Sequence, residues 1–509
     1  MGIVIRQSVK SAIATYAGVF IGTINVLWLS TAFLSRDRIG LIRVLLDNAF
    51  LFASLAQLGT SHVAVRYFAY FNDESRKYNG FLGFLLLFPL AGFLLYGLAY
   101  VFFQPVFEAI YRKNAPELLE YYYAIVPLVF FVVYIYILES YARVHLRIVV
   151  PAIIREVFLK LANAGLILLF AAGVIDFRQL VLLLIASYGV AVLMLLAYLK
   201  NLKRLYLTFR FDFLRSPLFR PMVTYGLVVI LGGLGSQLAS KIDSLMLPAY
   251  PGGLDVTGIY AIAFNIGVVI EVPRRALSQI IAPLVAMAWR QSDLKEIGKL
   301  YQSSALNQLI VGVFLFLGIW CNIDAIYTIM PNGELYQPGK MVVLLIALGR
   351  LVDMGTGVNS EIIISSKYYK FDLVAAMLLA FLMVVINLYF IPWFGINGAA
   401  LTTLISLVIY NGAKCFFLWW QFRIQPFSAK TVTVLAIAGV AFLAAMLVPY
   451  HTGTLVATLM SLFFRSLVIT VVFAGLVYLL KVSPEANQVA HALFTRLRDV
   501  VRRLGGSPR

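Results

Sequence analysis

The stretch Ile24–Asp47 reads INVLWLSTAFLSRDRIGLIRVLLD, and Ile242–Asn265 reads IDSLMLPAYPGGLDVTGIYAIAFN. Laid over each other without gaps, at an offset of 218 residues, they place Ile24 on Ile242, Leu27 on Leu245, Leu29 on Leu247 and Gly40 on Gly258. Leucine matches arise easily in apolar chain. Matched polar positions are rarer, and here Asn25 falls on Asp243 and Asp47 on Asn265. Each copy covers the junction of two apolar runs, and the offset equals six such runs. An even number of membrane crossings preserves orientation, so the repeats are parallel and related by an axis along the membrane normal.

Composition places this repeat in a membrane. The chain has 509 residues, of which 62% are hydrophobic and 13% charged, with a mean hydropathy of +0.91. Soluble domains carry about 25% charged residues; a soluble fold has no place for so much apolar surface. An ordinary cytosolic enzyme, a disordered chain and a disulfide-stapled secreted domain are excluded. Cys321 and Cys415 lie far apart in apolar stretches, and His62, His145, His451 and His491 are scattered, so neither a disulfide framework nor a metal spacing is present.

A crossing needs about 20 apolar residues. Fourteen runs qualify, at approximately 12–34, 44–65, 81–103, 121–138, 150–174, 180–199, 222–248, 257–287, 303–323, 340–362, 372–391, 396–419, 431–449 and 456–480. The first run, Ser11 to Leu34, has no small-x-small cleavage pattern and is expected to stay as a helix. The reading is an all-α polytopic membrane protein: fourteen transmembrane helices, in two six-helix lobes related by a parallel repeat, plus two extra helices. The expected divisions are 1–212, 213–425, 426–480 and a basic tail, 481–509.

The net charge of +18 supports this reading and not nucleic-acid binding. Basic residues concentrate on cytoplasmic connections of membrane proteins. With the N-terminus inside, the inside segments hold 27 of the 41 basic residues, Arg143, Arg147, Arg155 and Lys160 among them; the outside connections hold 7. Both termini are therefore expected in the cytoplasm. From Pro484, Val489, Leu493, Leu497, Val500 and Leu504 recur at helical steps, with Arg496, Arg498, Arg502 and Arg503 mostly off that stripe. This reads either as an amphipathic helix on anionic lipid or as a basic tail that only follows topology.

Ionisable residues inside spans cost about 2.5–3.5 kcal/mol each on insertion scales, so they mark function or pairing. In span 8, Glu271, Arg274, Arg275 and Ser278 lie on one helical face, and Pro273 predicts a kink. Glu271 neutralises one arginine; the other needs an acid from another helix. Span 7 offers Gln237, Lys241, Ser244 and Asp243; span 10, Arg350 and Asp353; span 2, Arg43 and Asp47, continued by Ser54, Gln57 and Ser61, with Arg66 nearer the cytoplasmic end; span 1, Asn25. Asn265 joins them through the repeat. This set reads as one polar cavity. The pairs Arg43/Asp47, Arg350/Asp353 and Lys241/Asp243 read equally well as struts. The adjacent guanidiniums of Arg274 and Arg275 read as an anion receiver, because arginine offers forked donors that match phosphate oxygens. Lys414 and Arg465 read as snorkelling or lobe-contact residues.

Signals of enzyme chemistry are missing from the sequence: no P-loop, no His/Cys metal cluster, no nucleophile elbow and no large catalytic loop. Gly232, Gly233 and Gly235 lie within a span, where close helix packing accounts for them.

Three stretches, IRQSVKSAIATYAGVFIG from Ile5, RIGLIRVLLD from Arg38 and WFGINGAALTTLIS from Trp393, together with the six-plus-six-plus-two plan, resemble the MOP exporter superfamily. The first two resemble its Wzx-type polysaccharide flippases, and the third resembles a turn typical of the superfamily. The resemblance implies a flippase for undecaprenyl-diphosphate-linked oligosaccharide in the bacterial inner membrane, without an ATP site or cofactor. A cationic cavity would hold the diphosphate and part of the sugar, and Na+ or H+ could be coupled through Asp47 or Asp243. Implied partners are anionic lipids and a polysaccharide polymerase or synthesis complex. The lipid II flippase is similar in carrying cations in its first and eighth spans, but here span 1 has none between Ala12 and Leu34. Bacterial drug exporters of the MATE type carry a carboxylate in span 1, also missing here. A reading of a different class is a non-transporting scaffold for sugar enzymes.

Overall fold

The computed structural model describes residues 2–71, 73, 77–208, 211–450, 454–488 and 491. Every regular element among the described residues is a helix. That is the outcome lipid imposes, because a helix satisfies its backbone donors and acceptors within one segment. The expected amphipathic stripe, Val489 to Leu504, lies outside the described residues.

Among the described residues, eleven helices are long and apolar enough to cross a membrane. There are twelve if Phe219–Gly235 and Gln237–Ala249, bent by 50°, count as one span. The expectation of fourteen differs from this at two places. The run 150–174 is helical in pieces, Val149–Ile153, a π-helical turn Ile154–Phe158 and Leu159–Ala171, and it carries Arg155, Glu156 and Lys160. The runs 372–391 and 396–419 are two helices within Tyr369–Phe422, counted above as one and joined at Gly395 with φ 56° and ψ −132°. The chain reverses there: a Cβ on Gly398 would meet the Phe390 carbonyl oxygen at 2.0 Å, whereas eight residues of straight helix span about 12 Å. The positive φ needs glycine, and it falls in the WFGINGAALTTLIS stretch.

Span 8 changes its helical winding next to Pro273. Gly253–Val268 ends in a 3-10 turn, Val269–Glu271, and Val272–Arg290 resumes with Pro273 in its first turn. A proline there lacks only a donor that would have been unpaired anyway.

The chain divides into two compact units, residues 1–265 with 376–402, and residues 266–375 with 403–509. In the first, the Arg36–Ala56 helix packs against Tyr122–Val144 and Phe219–Met246. The repeat is visible as a reciprocal contact. A Cβ on Gly40 would meet the Leu254 carbonyl oxygen at 2.1 Å, and a Cβ on Gly258 would meet the Arg36 carbonyl oxygen at 2.0 Å. Residues 36 and 254, like 40 and 258, are the same 218 positions apart. In the second unit, Leu294–Trp320 packs with Ala429–Met446 and the Leu455–Leu479 span around Val313, Val434, Ala441 and Phe473. Arg465 binds this region together. Its guanidinium donates to the carbonyls of Val448 (3.1 and 3.0 Å) and Cys321 (3.0 Å), so it is a helix-contact residue.

Candidate functional site

Two charged clusters collect most of the residues that the sequence singles out. In the first unit, Asp47 is buried and takes two cations. Arg43, one turn earlier, reaches it at 2.5 Å, and Lys241 reaches its other oxygen at 2.5 Å. Arg43 also donates to Ser244 at 3.3 Å and lies over the Phe264 ring. Asp243 accepts from Tyr260 at 2.5 Å and from Asn387 at 2.7 Å. The buried Asn25 amide donates to the Lys160 carbonyl at 2.6 Å. Asn265 donates to Ala261 on its own helix. Arg66 is exposed, with its guanidinium 4.2 Å from the Tyr225 ring centre.

In the second unit the expected pairing is exchanged between helices. Asp353 does not hold Arg350, three residues before it. It holds Arg274 at 3.0 Å, while Arg350 reaches Glu271 at 2.9 Å. Residues three apart on a helix are neighbours, but here each arginine takes its acid from the facing helix. Arg274 thus gains its acid from another helix. Arg275 differs from both. Its side chain is 70% exposed and its nearest carboxylate oxygen, on Glu271, is 3.8 Å away. The two adjacent guanidiniums are therefore not equivalent: Arg274 is neutralised and partly buried, and Arg275 is presented. Lys414, fully buried, meets Asp372 at 2.9 Å and Ser360 at 2.5 Å, as a helix-contact residue does.

A third cluster was not anticipated. Arg155 joins Glu139 at 2.6 Å and Glu156 at 3.1 Å, and Lys160 joins Glu156 at 3.0 Å and the Gly18 carbonyl at 3.0 Å. Arg155 and Lys160 read as cytoplasmic-side cations in the sequence. The i,i+4 spacing of Glu156 and Lys160 within a run of spanning length was the available signal. Two cavities adjoin this cluster. One, of about 420 Å³, is lined by the Ser54, Gln57 and Ser61 face of span 2, by Gln237, and by Tyr136, Glu139, Arg143 and Arg155. The other, of about 330 Å³, is lined by Tyr136, Arg155, Glu156, Lys160, Asn163 and Tyr188 among others. Both fall within the usual size of small-molecule sites, about 300–1,000 Å³.

No protein-family model matches the chain, and no curated protein matches its sequence. Solved structures do match in fold. The lipid II flippase MurJ, in its inward closed conformation, is similar with a TM-score of 0.72 at 13% identity, over 93% of this chain and 99% of that one. An inward-facing multidrug resistance MATE family transporter of the MOP superfamily is similar with a TM-score of 0.60 at 16% identity, over 81% and 98%. The MATE multidrug transporter DinF-BH, in complex with R6G, gives 0.56 at 14% identity, over 82% and 95%. The protein is a multi-pass membrane protein with the fold that these transporters share.

Proposed function

We propose that this chain is a flippase that moves undecaprenyl-diphosphate-linked oligosaccharide across the bacterial inner membrane by alternating access. The observation that carries this reading is the presentation of Arg275. Beside it, Arg274 and Arg350 are each held by a carboxylate, on Asp353 and Glu271. Arg275 keeps its guanidinium largely exposed, 3.8 Å from the nearest acid. A forked donor held only by one long ion pair suits a diphosphate, which brings acceptor oxygens and negative charge and no donors. The lipid tail stays in the bilayer. A ligand drives the change of access only by binding its two states differently, and a charged head group that Arg275 holds in one state and releases in the other meets that condition. Asp243, held by Tyr260 and Asn387, and Asp47 are the carboxylates proposed for coupling Na+ or H+. Anionic lipids and a polysaccharide polymerase or synthesis complex are the proposed partners.

The test is translocation in proteoliposomes loaded with an undecaprenyl-diphosphate oligosaccharide. The expected result is protein-dependent flipping that Arg275→Ala reduces at least tenfold, with the melting temperature unchanged. Flipping unaffected by Arg275→Ala removes the anion site. No flipping, with cation-driven efflux of a dye, moves the chain to the drug-exporter reading. Deleting residues 484–509 separates transporter from scaffold: a flippase keeps its transport, and a scaffold loses its function.

A further inference from the structure

We propose that the larger cavity of the first unit is a saccharide subsite, which takes a sugar ring of the transported head group by its hydroxyl and amide donors. The inference rests on the flippase reading and adds to it the place and the chemistry of sugar recognition, apart from the arginine that receives the diphosphate.

The cavity measures about 420 Å³ and its wall is built from Ser54, Gln57, Ser61, Tyr136, Glu139 and Gln237, with Arg143 and Arg155 beside them. Two wall residues are more than nine-tenths buried, Gln57 and Glu139. Each keeps one buried acceptor oxygen, the Oε1 atom, with no hydrogen-bond partner among the described residues. The rest of each group is engaged. The second carboxylate oxygen of Glu139 is taken by Arg155 at 2.6 Å, and the Gln57 amide nitrogen makes one long contact, 3.5 Å, to the Ser54 carbonyl. Buried acceptors are unfavourable unless something supplies donors to them. A ligand suited to this wall is therefore rich in O–H and N–H groups.

That requirement sorts the possible ligands. A diphosphate brings acceptors only and has no donor to give to the unpartnered oxygens of Gln57 and Glu139. An aromatic or aliphatic drug brings too few donors for a wall of amides, hydroxyls and a carboxylate. An organic cation would meet Arg143 and Arg155. A sugar ring offers several hydroxyl donors, and an N-acetylated ring adds an amide N–H. Hydroxyls also accept, so the same ring can use the cavity's serines and Tyr136 in either direction. The wall comes from the helices Arg36–Ala56, Thr60–Phe71, Tyr122–Val144 and Phe219–Met246, the turn that carries Gln57, and the Ile154–Phe158 π turn.

The test uses the full chain in lipid nanodiscs. The probes are three soluble disaccharides, one neutral, one N-acetylated and one carrying a uronic acid, together with inorganic pyrophosphate. Binding is read by calorimetry and by ligand-observed NMR. At least one disaccharide is expected to bind without being displaced by pyrophosphate. Gln57→Leu, which keeps the side-chain bulk and removes the acceptor, is expected to weaken it at least tenfold with the melting temperature retained. Ser61→Leu narrows the same cavity and provides a second variant if the first fails to fold. Unchanged sugar binding in both variants, or displacement by pyrophosphate, overturns the subsite. No sugar binding by a chain that still flips the lipid-linked oligosaccharide overturns the subsite and leaves the flippase reading standing. No sugar binding and no flipping, with dye efflux instead, overturns both.

Discussion

The two ion-pair clusters solve the same problem in different ways. Around Asp47, one buried carboxylate is shared by two cations, Arg43 from its own helix and Lys241 from another. Around span 8, two carboxylates are each taken by an arginine from a facing helix, and a third arginine is left presented. The first arrangement concentrates its dependence on a single acid. The second distributes it, and so releases one cation for other work. Adjacent arginines in a sequence are therefore no guide to equivalent roles; what separates Arg274 from Arg275 is which of them faces an acid across the helix interface.

Breaking the shared acid has the largest expected effect on folding. Asp47→Ala leaves two partly buried cations without their common partner, and losing one member of a buried pair costs about 3–5 kcal/mol. The check is a denaturant titration in detergent; a shift below about 1 kcal/mol would place the cluster in water. Arg274→Ala comes next, at about 3 kcal/mol, because a single acid, Asp353, is orphaned. Adding Asp353→Ala is expected to recover part of that loss in a double-mutant cycle, and strict additivity would dissolve the pair. Arg350→Lys keeps the charge beside Glu271 and gives up the planar fork, for about 1 kcal/mol. The smallest effect on stability belongs to Arg275→Ala, which is expected to leave the unfolding curve in place. A marked destabilisation there would make Arg275 a strut like its neighbour and erase the contrast.

How much of this the residues disclose in advance depends on distance along the chain. Arg43 and Asp47 are one helical turn apart, and their pairing was legible from spacing. Lys241 and Asp47 are 194 residues apart, and no local pattern links them. Arg350 and Asp353 carry a misleading local pattern, since spacing on one helix says nothing of a better acceptor on the next. The repeat is read from polar residues that match at one offset, and the reciprocal contacts of Gly40 and Gly258 fall on that same offset. The Glu139, Arg155, Glu156 and Lys160 cluster was missed because charge counting along the chain reads sign and side, not depth in the bundle. The break at Gly395 was readable as a turn, whereas the pieces of the Val149–Ala171 segment depend on tertiary packing that propensity does not encode.

The glycine contact also sets how freely its two sides can differ. A two-fold interface is made of one surface patch used twice, with residue i of each copy meeting residue j of the other. Gly40 against Leu254, and Gly258 against Arg36, has that form within a single polypeptide. Because the two glycines are separate positions of one chain, a side chain can be placed at either one alone, and in each case it meets a backbone carbonyl of the facing segment.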